Sequence, residues 1–173
     1  ELSHIPYVGM GVPASANAMD KTFSKIVFGA AGIPQAAWVT AAASDDFESK
    51  ADEIEEKLGY PCFVKPARTG SSVGIGKAHD RAELIAALDN AAKFDRKILV
   101  EEHIDGHEVE CAVLGNSDAK AAVVGEIKPT VEYYDFDAKY VDDSTVLVIP
   151  ADLPRDVTEK IREYSVRAFK ALD

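Results

Sequence analysis

The chain has 173 residues, enough for one ordinary domain or two small ones, and its 47% hydrophobic and 28% charged content suits a core-forming soluble protein. Its 19 Lys and Arg against 30 Asp and Glu give a net charge of −11, which argues against a general nucleic-acid or anionic-membrane surface. No apolar run reaches the roughly 18 residues of a membrane span, no signal peptide is visible, and a polyphosphate ligand would need local lysines and a metal to overcome the global field.

Ile5-Pro6-Tyr7-Val8-Gly9-Met10-Gly11 predicts a strand running into a loop. Asp20 is placed to cap a helix reaching about Ala31, with Phe23, Ile26, Val27 and Ala30 at helical spacing and Gly32-Ile33-Pro34 as its stop. Lys21 then sits in the first turn, where a cation opposes the helix dipole. It is either turned out to solvent or has an anion to hold. Residues 36–40 predict a strand. Phe47, Ala51, Ile54 and Leu58 mark an amphipathic helix closed by Gly59.

Next comes the stretch around which the chain is organised, Pro-Cys-Phe-Val-Lys-Pro-Ala-Arg-Thr-Gly-Ser-Ser-Val-Gly-Ile-Gly at residues 61–76. Cys62-Phe63-Val64 is a short apolar strand ending on Lys65. Pro66 is expected to stop the ladder because it lacks an N–H. Small and polar residues follow from Arg68 to Ser72, with Gly70 allowing close approach, and a second strand is expected from Val73 to Ala78. The pattern is neither a P-loop nor a dinucleotide fingerprint. It reads either as an ordinary Gly/Ser hairpin or as a tip whose backbone N–H groups, flanked by Lys65 and Arg68, fold over phosphates.

Asp80 and Glu83 have capping-box spacing, with Asp in the Ser/Thr place, and Leu84, Ile85, Leu88 and Ala91 line the helix that follows. This element order describes a small α+β unit, not a doubly wound parallel sheet. Residues 97–102 predict a strand, Ile104-Asp105-Gly106 a turn, and residues 107–115 its pairing partner, with Val109, Cys111 and Val113 on one face. Glu101, Glu102, Glu108 and Glu110 would then crowd one strand–turn–strand element. They are either a solvated acidic edge or, since Glu101 ends a strand, acceptors for a ligand.

Asn116-Ser117-Asp118 turns into a strand over 121–127. Residues 130–144 lack periodicity and carry three tyrosines and a phenylalanine among five carboxylates. They read as an acidic surface loop pinned by aromatics, or as a lid over 133–143. A strand over 146–149 and a helix with Val157, Ile161, Tyr164, Ala168 and Leu172 facing inward close the chain. With no initiator Met, and a helical pattern running uncapped to Asp173, the sequence is expected to be a piece of a longer protein. Cys62 and Cys111 read as reduced thiols of a cytosolic protein. His4, His79, His103 and His107 show no metal-ligand spacing.

Taken in order, Met19-Asp20-Lys21, Phe63-Val64-Lys65-Pro66, Gly70-Ser71-Ser72-Val73-Gly74, Glu101-Glu102 with Gly106-His107-Glu108, and Ala138-Lys139-Tyr140 resemble the D-alanine–D-alanine ligases of the ATP-grasp superfamily. The resemblance implies an α+β ATP-grasp fold with antiparallel sheets, packed helices and a nucleotide held between two α+β subdomains. It assigns 1–13 to the end of an N-terminal substrate domain, 14–105 to the central subdomain and 106–173 to the first part of the C-terminal one.

The implied activity joins two D-alanines at the expense of ATP, for peptidoglycan, in the cytoplasm. Lys21 and Lys65 match phosphate-contacting lysines, and Gly70 and Ser72 match the gripping hairpin. Glu101 matches the acceptor for the adenine amino group, with the Ile104 backbone beside it. Glu108 matches the ribose ligand. Ser71 and Tyr140 match a serine–tyrosine pair that orders the substrate site and lid, and Lys139 the lid lysine aimed at the γ-phosphate. The Mg²⁺ or Mn²⁺ ligands, a stabilising arginine and the first-substrate glutamate fall outside this chain, so the chain alone is expected to be inactive. The resemblance implies D-alanine and ATP as partners, no nucleic acid and no membrane, and leaves a homodimer open. D-alanine–D-serine ligation, another ATP-grasp carboxylate–amine ligation, and ATP binding without catalysis are the other readings.

Overall fold

Chain contacts separate the described residues into two units: 3–34 with 106–128 and 145–172, and 35–105. The structure is a computed structural model that describes residues 3–128 and 145–172. The lid expected over 133–143, with Lys139 and Tyr140, lies outside the described residues. In chain order the elements are α1 (Val12–Met19), α2 (Lys21–Ala30), β1 (Trp38–Ala42), α3 (Phe47–Lys57), β2 (Cys62–Pro66), β3 (Gly76–Ala78), α4 (Arg81–Ala92), β4 (Lys97–Glu102), β5 (Glu108–Leu114), β6 (Lys120–Lys128), β7 (Val146–Val148) and α5 (Arg155–Leu172).

The second unit is a four-stranded antiparallel sheet in the order β1-β4-β2-β3. Alternation divides its side chains cleanly. Val39 and Ala41, Cys62 and Val64, Ala78, and Ile98 and Val100 turn to one face, where Ala51 and Ile54 of α3 and Leu84, Leu88 and Ala91 of α4 complete a closed core. Burying each of the larger aliphatic side chains stabilises the unit by about 1.5–3 kcal/mol before entropy is counted. Both helices start on an aspartate. Asp46 accepts from the Glu48 N–H and Asp80 from the Glu83 N–H. The reciprocal half of the expected capping box is shifted by one residue, since Glu83 accepts from the His79 N–H. Gly59, at φ +67, supplies the left-handed residue that ends α3.

The first unit carries the three-stranded antiparallel sheet β5-β6-β7, with α5 packed on β5 and β6 and α1 and α2 beside α5. Asp20 caps α2 as the sequence predicts: its Oδ1 accepts from the N–H groups of Thr22 and Phe23 at 3.1 and 3.3 Å. Phe23 and Ile26, two of the residues at helical spacing, are about half exposed, and Thr22 is the buried residue of that helix. On α5, Val157 is exposed, while Ile161, Tyr164, Ala168 and Leu172 are partly buried.

Four expectations are corrected. Residues 5–11 form no strand; Val8 is almost fully exposed, and the regular structure is the helix α1, where Pro13 suits the first turn and three alanines favour the rest. Residues 107–115 do not pair with β4. Both edges of β4 are taken by β1 and β2, so β5 pairs with β6 in another sheet. Pro66 does not stop the ladder either: it lies opposite Ile98, and Ala67 N–H donates to the Lys97 carbonyl. N–H groups alternate sides along a strand, so the position without one faces the edge where β3 has already ended at Gly76. The second hairpin strand is shorter than expected, because residues 71–74 are turn and only Gly76–Ala78 pairs.

Candidate nucleotide site

The face of the four-stranded sheet away from α3 and α4 carries the candidate residues. Register aligns Trp38, Glu101, Phe63 and Lys77 in a single row across all four strands. Lys65, two residues beyond Phe63 on the same strand, points to the same side. Its Nζ lies 2.6 Å from Glu101 Oε2 and 5.4 Å from the Phe63 ring centre. Lys77 Nζ approaches that ring to 5.7 Å, and the His103 ring lies tilted at 5.8 Å. The patch therefore combines two ammonium groups, an aromatic plane and a carboxylate that is partly withdrawn from solvent. This donor set fits a nucleotide: cations for phosphate, a plane for a base, and an acceptor for an exocyclic amine.

Sequence reasoning singled out Lys65 and Glu101, and the structure brings them together. It missed Lys77, although strand alternation two residues after Ile75 was a usable signal. Glu102, grouped with the acidic element, does something else. Its Oε1 accepts from the Ala37 N–H at 2.6 Å while its own N–H donates to the Ala37 carbonyl, closing the end of β1.

The turn beyond Lys65 is tightly determined. Ser71 and Ser72 hold φ of 50° and 59°, values that non-glycine residues seldom adopt. Strain of this kind clusters at ligand-holding segments. Val73 N–H donates to the Gly70 carbonyl and Ile75 N–H to the Ser72 carbonyl, and Thr69 Oγ1 donates to the Val73 carbonyl. The glycine that the fold itself requires is Gly74, whose φ is +76° and where a Cβ would stand 2.6 Å from Phe94. A Cβ at Gly70 would meet open space. Arg68 is exposed but engaged with the protein itself: its Nε and Nη2 donate to Asp95 at 3.0 and 2.5 Å. That hydrogen bonding, with the guanidinium charge, holds the Asp95 carboxyl down at about 2.

Ile104 follows β4 and is exposed. The remaining assigned residues among those described, Lys21 and Glu108, belong to the other unit. Lys21 opens α2 beside the buried Asp20 cap. Glu108 begins β5, exposed, opposite Ile127. His107, just before it, places Nδ1 2.5 Å from Oε1 of Glu126, which is 4% exposed. The His107 contact, ahead of Lys128, lowers the Glu126 pKa. Among the described residues no group of three or more His, Cys, Asp or Glu is arranged to hold a metal ion.

The chain is α+β, with two antiparallel sheets and packed helices, one sheet bearing this cation–aromatic–carboxylate face, and its likenesses place it in the ATP-grasp class. The VanG D-Ala:D-Ser ligase from Enterococcus faecalis superposes with a TM-score of 0.87 at 38% identity, over 99% of this chain and 50% of that one. The D-alanine–D-alanine ligase from Bacillus anthracis superposes with a TM-score of 0.80 at 32% identity, over 99% and 54%. In sequence, D-alanine–D-alanine ligases of Acetivibrio thermocellus and Bacillus cytotoxicus are 56% and 52% identical across the whole chain. The chain spans about half the length of the curated relatives it matches, 47% and 49% in these two. The profile of the D-ala D-ala ligase C-terminus matches residues 27–173, and the chain belongs to that family.

Proposed function

We propose that this chain is the nucleotide-gripping part of an ATP-dependent ligase that joins two D-alanines for peptidoglycan in the cytoplasm. The observation that carries the reading is the row Trp38-Glu101-Phe63-Lys77 with Lys65 paired to Glu101, in a chain of this family. In this reading Glu101 accepts from the adenine amino group, with the Ile104 backbone beside it. Glu108 takes the ribose hydroxyls. Lys65 and Lys21 meet phosphate oxygens. Gly70 and Ser72 let the turn lie over the phosphates, and Ser71 reaches the substrate side. Lys139 and Tyr140 are assigned by resemblance to the γ-phosphate and to Ser71.

A D-alanine carboxylate attacks the γ-phosphorus and ADP leaves, giving an acyl phosphate. The amine of the second D-alanine then attacks the acyl carbon, phosphate leaves and the amine loses a proton. Carboxylate is a weak nucleophile, so the residues contribute positioning and charge neutralisation more than acid–base chemistry. Mg²⁺ or Mn²⁺, held by ligands expected beyond residue 173, would add to that neutralisation.

The 52–56% identity to D-alanine–D-alanine ligases supports D-alanine as second substrate, and Tyr140 within Ala-Lys-Tyr fits the dipeptide-forming ligases better than the lactate ones. The likeness to a D-Ala:D-Ser ligase supports D-serine as the second reading. Coupled ADP release by the full-length protein, with D-alanine alone or with D-serine, D-lactate or L-alanine added, tests both. ADP release with D-alanine alone, accompanied by dipeptide, is expected. Turnover that requires D-serine would transfer the assignment to the second reading, and ATP binding without turnover on any of them would refute ligation.

A further inference from the structure

We propose that Asp95, with Phe94 beside it, positions the Gly-rich turn: this pair between α4 and β4 fixes both ends of residues 68–75 in the shape that meets the nucleotide. The functional half of this inference rests on the reading above, that the turn lies over ATP phosphates.

The outgoing end is tied by one carboxylate. Asp95 Oδ2 accepts from the Arg68 backbone N–H at 2.9 Å and from Arg68 Nε at 3.0 Å. Its Oδ1 accepts from Arg68 Nη2 at 2.5 Å and from the Lys97 N–H at 3.2 Å. The side chain is 4% exposed, so these bonds compete little with water and their geometry is held. Ala67 N–H adds a bond to the Lys97 carbonyl. The chain leaving β2 is thus fixed, at two consecutive residues, to the start of β4. The returning end is seated by shape. At Gly74 the backbone passes so near Phe94 and Pro66 that an added Cβ would stand 2.6 Å from Phe94 Cδ2 and 2.9 Å from Pro66 Cγ. Between these anchors lie the left-handed Ser71 and Ser72. Such conformations persist when the surroundings over-determine them, and Phe94-Asp95 is the part of those surroundings that touches both ends. Arg68 therefore braces the turn.

The test uses the full-length protein with Asp95→Asn, Arg68→Lys and, as a site control, Lys65→Ala. Asp95→Asn should speed amide exchange of Val73 and Ile75 about tenfold, as loss of one charge-assisted bond predicts, and leave the β2–β4 ladder amides unchanged. Its KM for ATP should rise about tenfold with little change in KM for D-alanine. Arg68→Lys, which keeps the charge and loses the fork, should fall between. Unchanged turn amides, or equal acceleration of turn and ladder, would overturn the anchoring role. A raised ATP KM in Lys65→Ala with an unchanged one in Asp95→Asn would overturn its functional half. If the turn amides respond while neither variant alters ATP binding, the anchor stands and the nucleotide reading falls.

Discussion

Lys65 Nζ and Glu101 Oε2 lie 2.6 Å apart on adjacent strands, so the two residues assigned to opposite ends of a nucleotide neutralise each other. Lys65 is about a quarter exposed and Glu101 less, which keeps water from screening the pair fully. Lys65→Ala removes the ammonium proposed to meet phosphate and strands a partly buried carboxylate. It should weaken ATP binding and turnover by about 1.5–3 kcal/mol, read from KM and kcat for ATP. Unchanged affinity for ATP would reduce Lys65 to the ion pair alone.

Glu101→Gln keeps the shape and replaces an acceptor-only group by one that also donates. Guanine presents an acceptor where adenine presents its amino group. The variant should lose preference for ATP over GTP by roughly tenfold, about 1.4 kcal/mol, with a smaller change in maximal rate. Competition kinetics between the two nucleotides measure it, and full retention of ATP preference would contradict the adenine role.

Asp95 gives an acid-sensitive contribution to stability. Its folded pKa, lowered to about 2 chiefly by Arg68, lies below the unfolded value of about 3.9. The stabilisation is therefore fully present above about pH 4 and is lost as the pH falls toward 2. Because Arg68 is itself 41% exposed, the contribution is on the order of 1–2 kcal/mol. Trp38, the chain's single tryptophan, lies on β1 of the same unit and reports its unfolding. Urea midpoints by Trp38 fluorescence should fall more steeply for wild type than for Asp95→Asn over that range; parallel curves would contradict it.

The two thiols should separate under alkylation. Cys62 is fully buried, and burial pushes its thiol up to about 11, which suppresses the reactive thiolate. Cys111 is partly exposed. Iodoacetamide on the native protein should label Cys111 and leave Cys62 unmodified, as peptide mass spectrometry would show. Rapid labelling of Cys62 would mean that the β2 core opens readily.

Ile54 sits at the centre of the α3–α4–sheet core with no exposure. Ile54→Ala should cost about 2–5 kcal/mol in Trp38-reported unfolding. A loss below 1 kcal/mol would show that the helices close over the cavity.

Helix starts were legible because an aspartate ahead of an apolar-periodic run has one favoured use, and Asp20 and Asp80 follow it. The pairing of Lys65 with Glu101 was half legible. Each residue could be placed at a strand end, but their adjacency depends on β4 lying between β1 and β2. The mistaken β4–β5 hairpin has the same origin: short spacing favours a hairpin, and only the partners already on both edges of β4 forbid it. The Asp95–Arg68 brace joins residues 27 apart, and nothing local in either stretch requires the other. Residues 5–11 misled because apolar content alone does not give a strand a neighbour.

β4 is six residues in which Ile98 and Val100 belong to the core and Glu101 and Leu99 to the other face. Loss or gain of one residue within it would exchange the two sets, sending a carboxylate into the core and a valine to the opposite face. Core and candidate nucleotide face are thus inherited as a single reading frame. Lineages of this fold should accumulate length changes at Asn116-Ser117-Asp118, whose flanking strands already meet through a bulge, and almost never between Lys97 and Glu102. The spacing from Val64 and Lys65 to Val100 and Glu101 can drift only through the segments that lie outside the sheet.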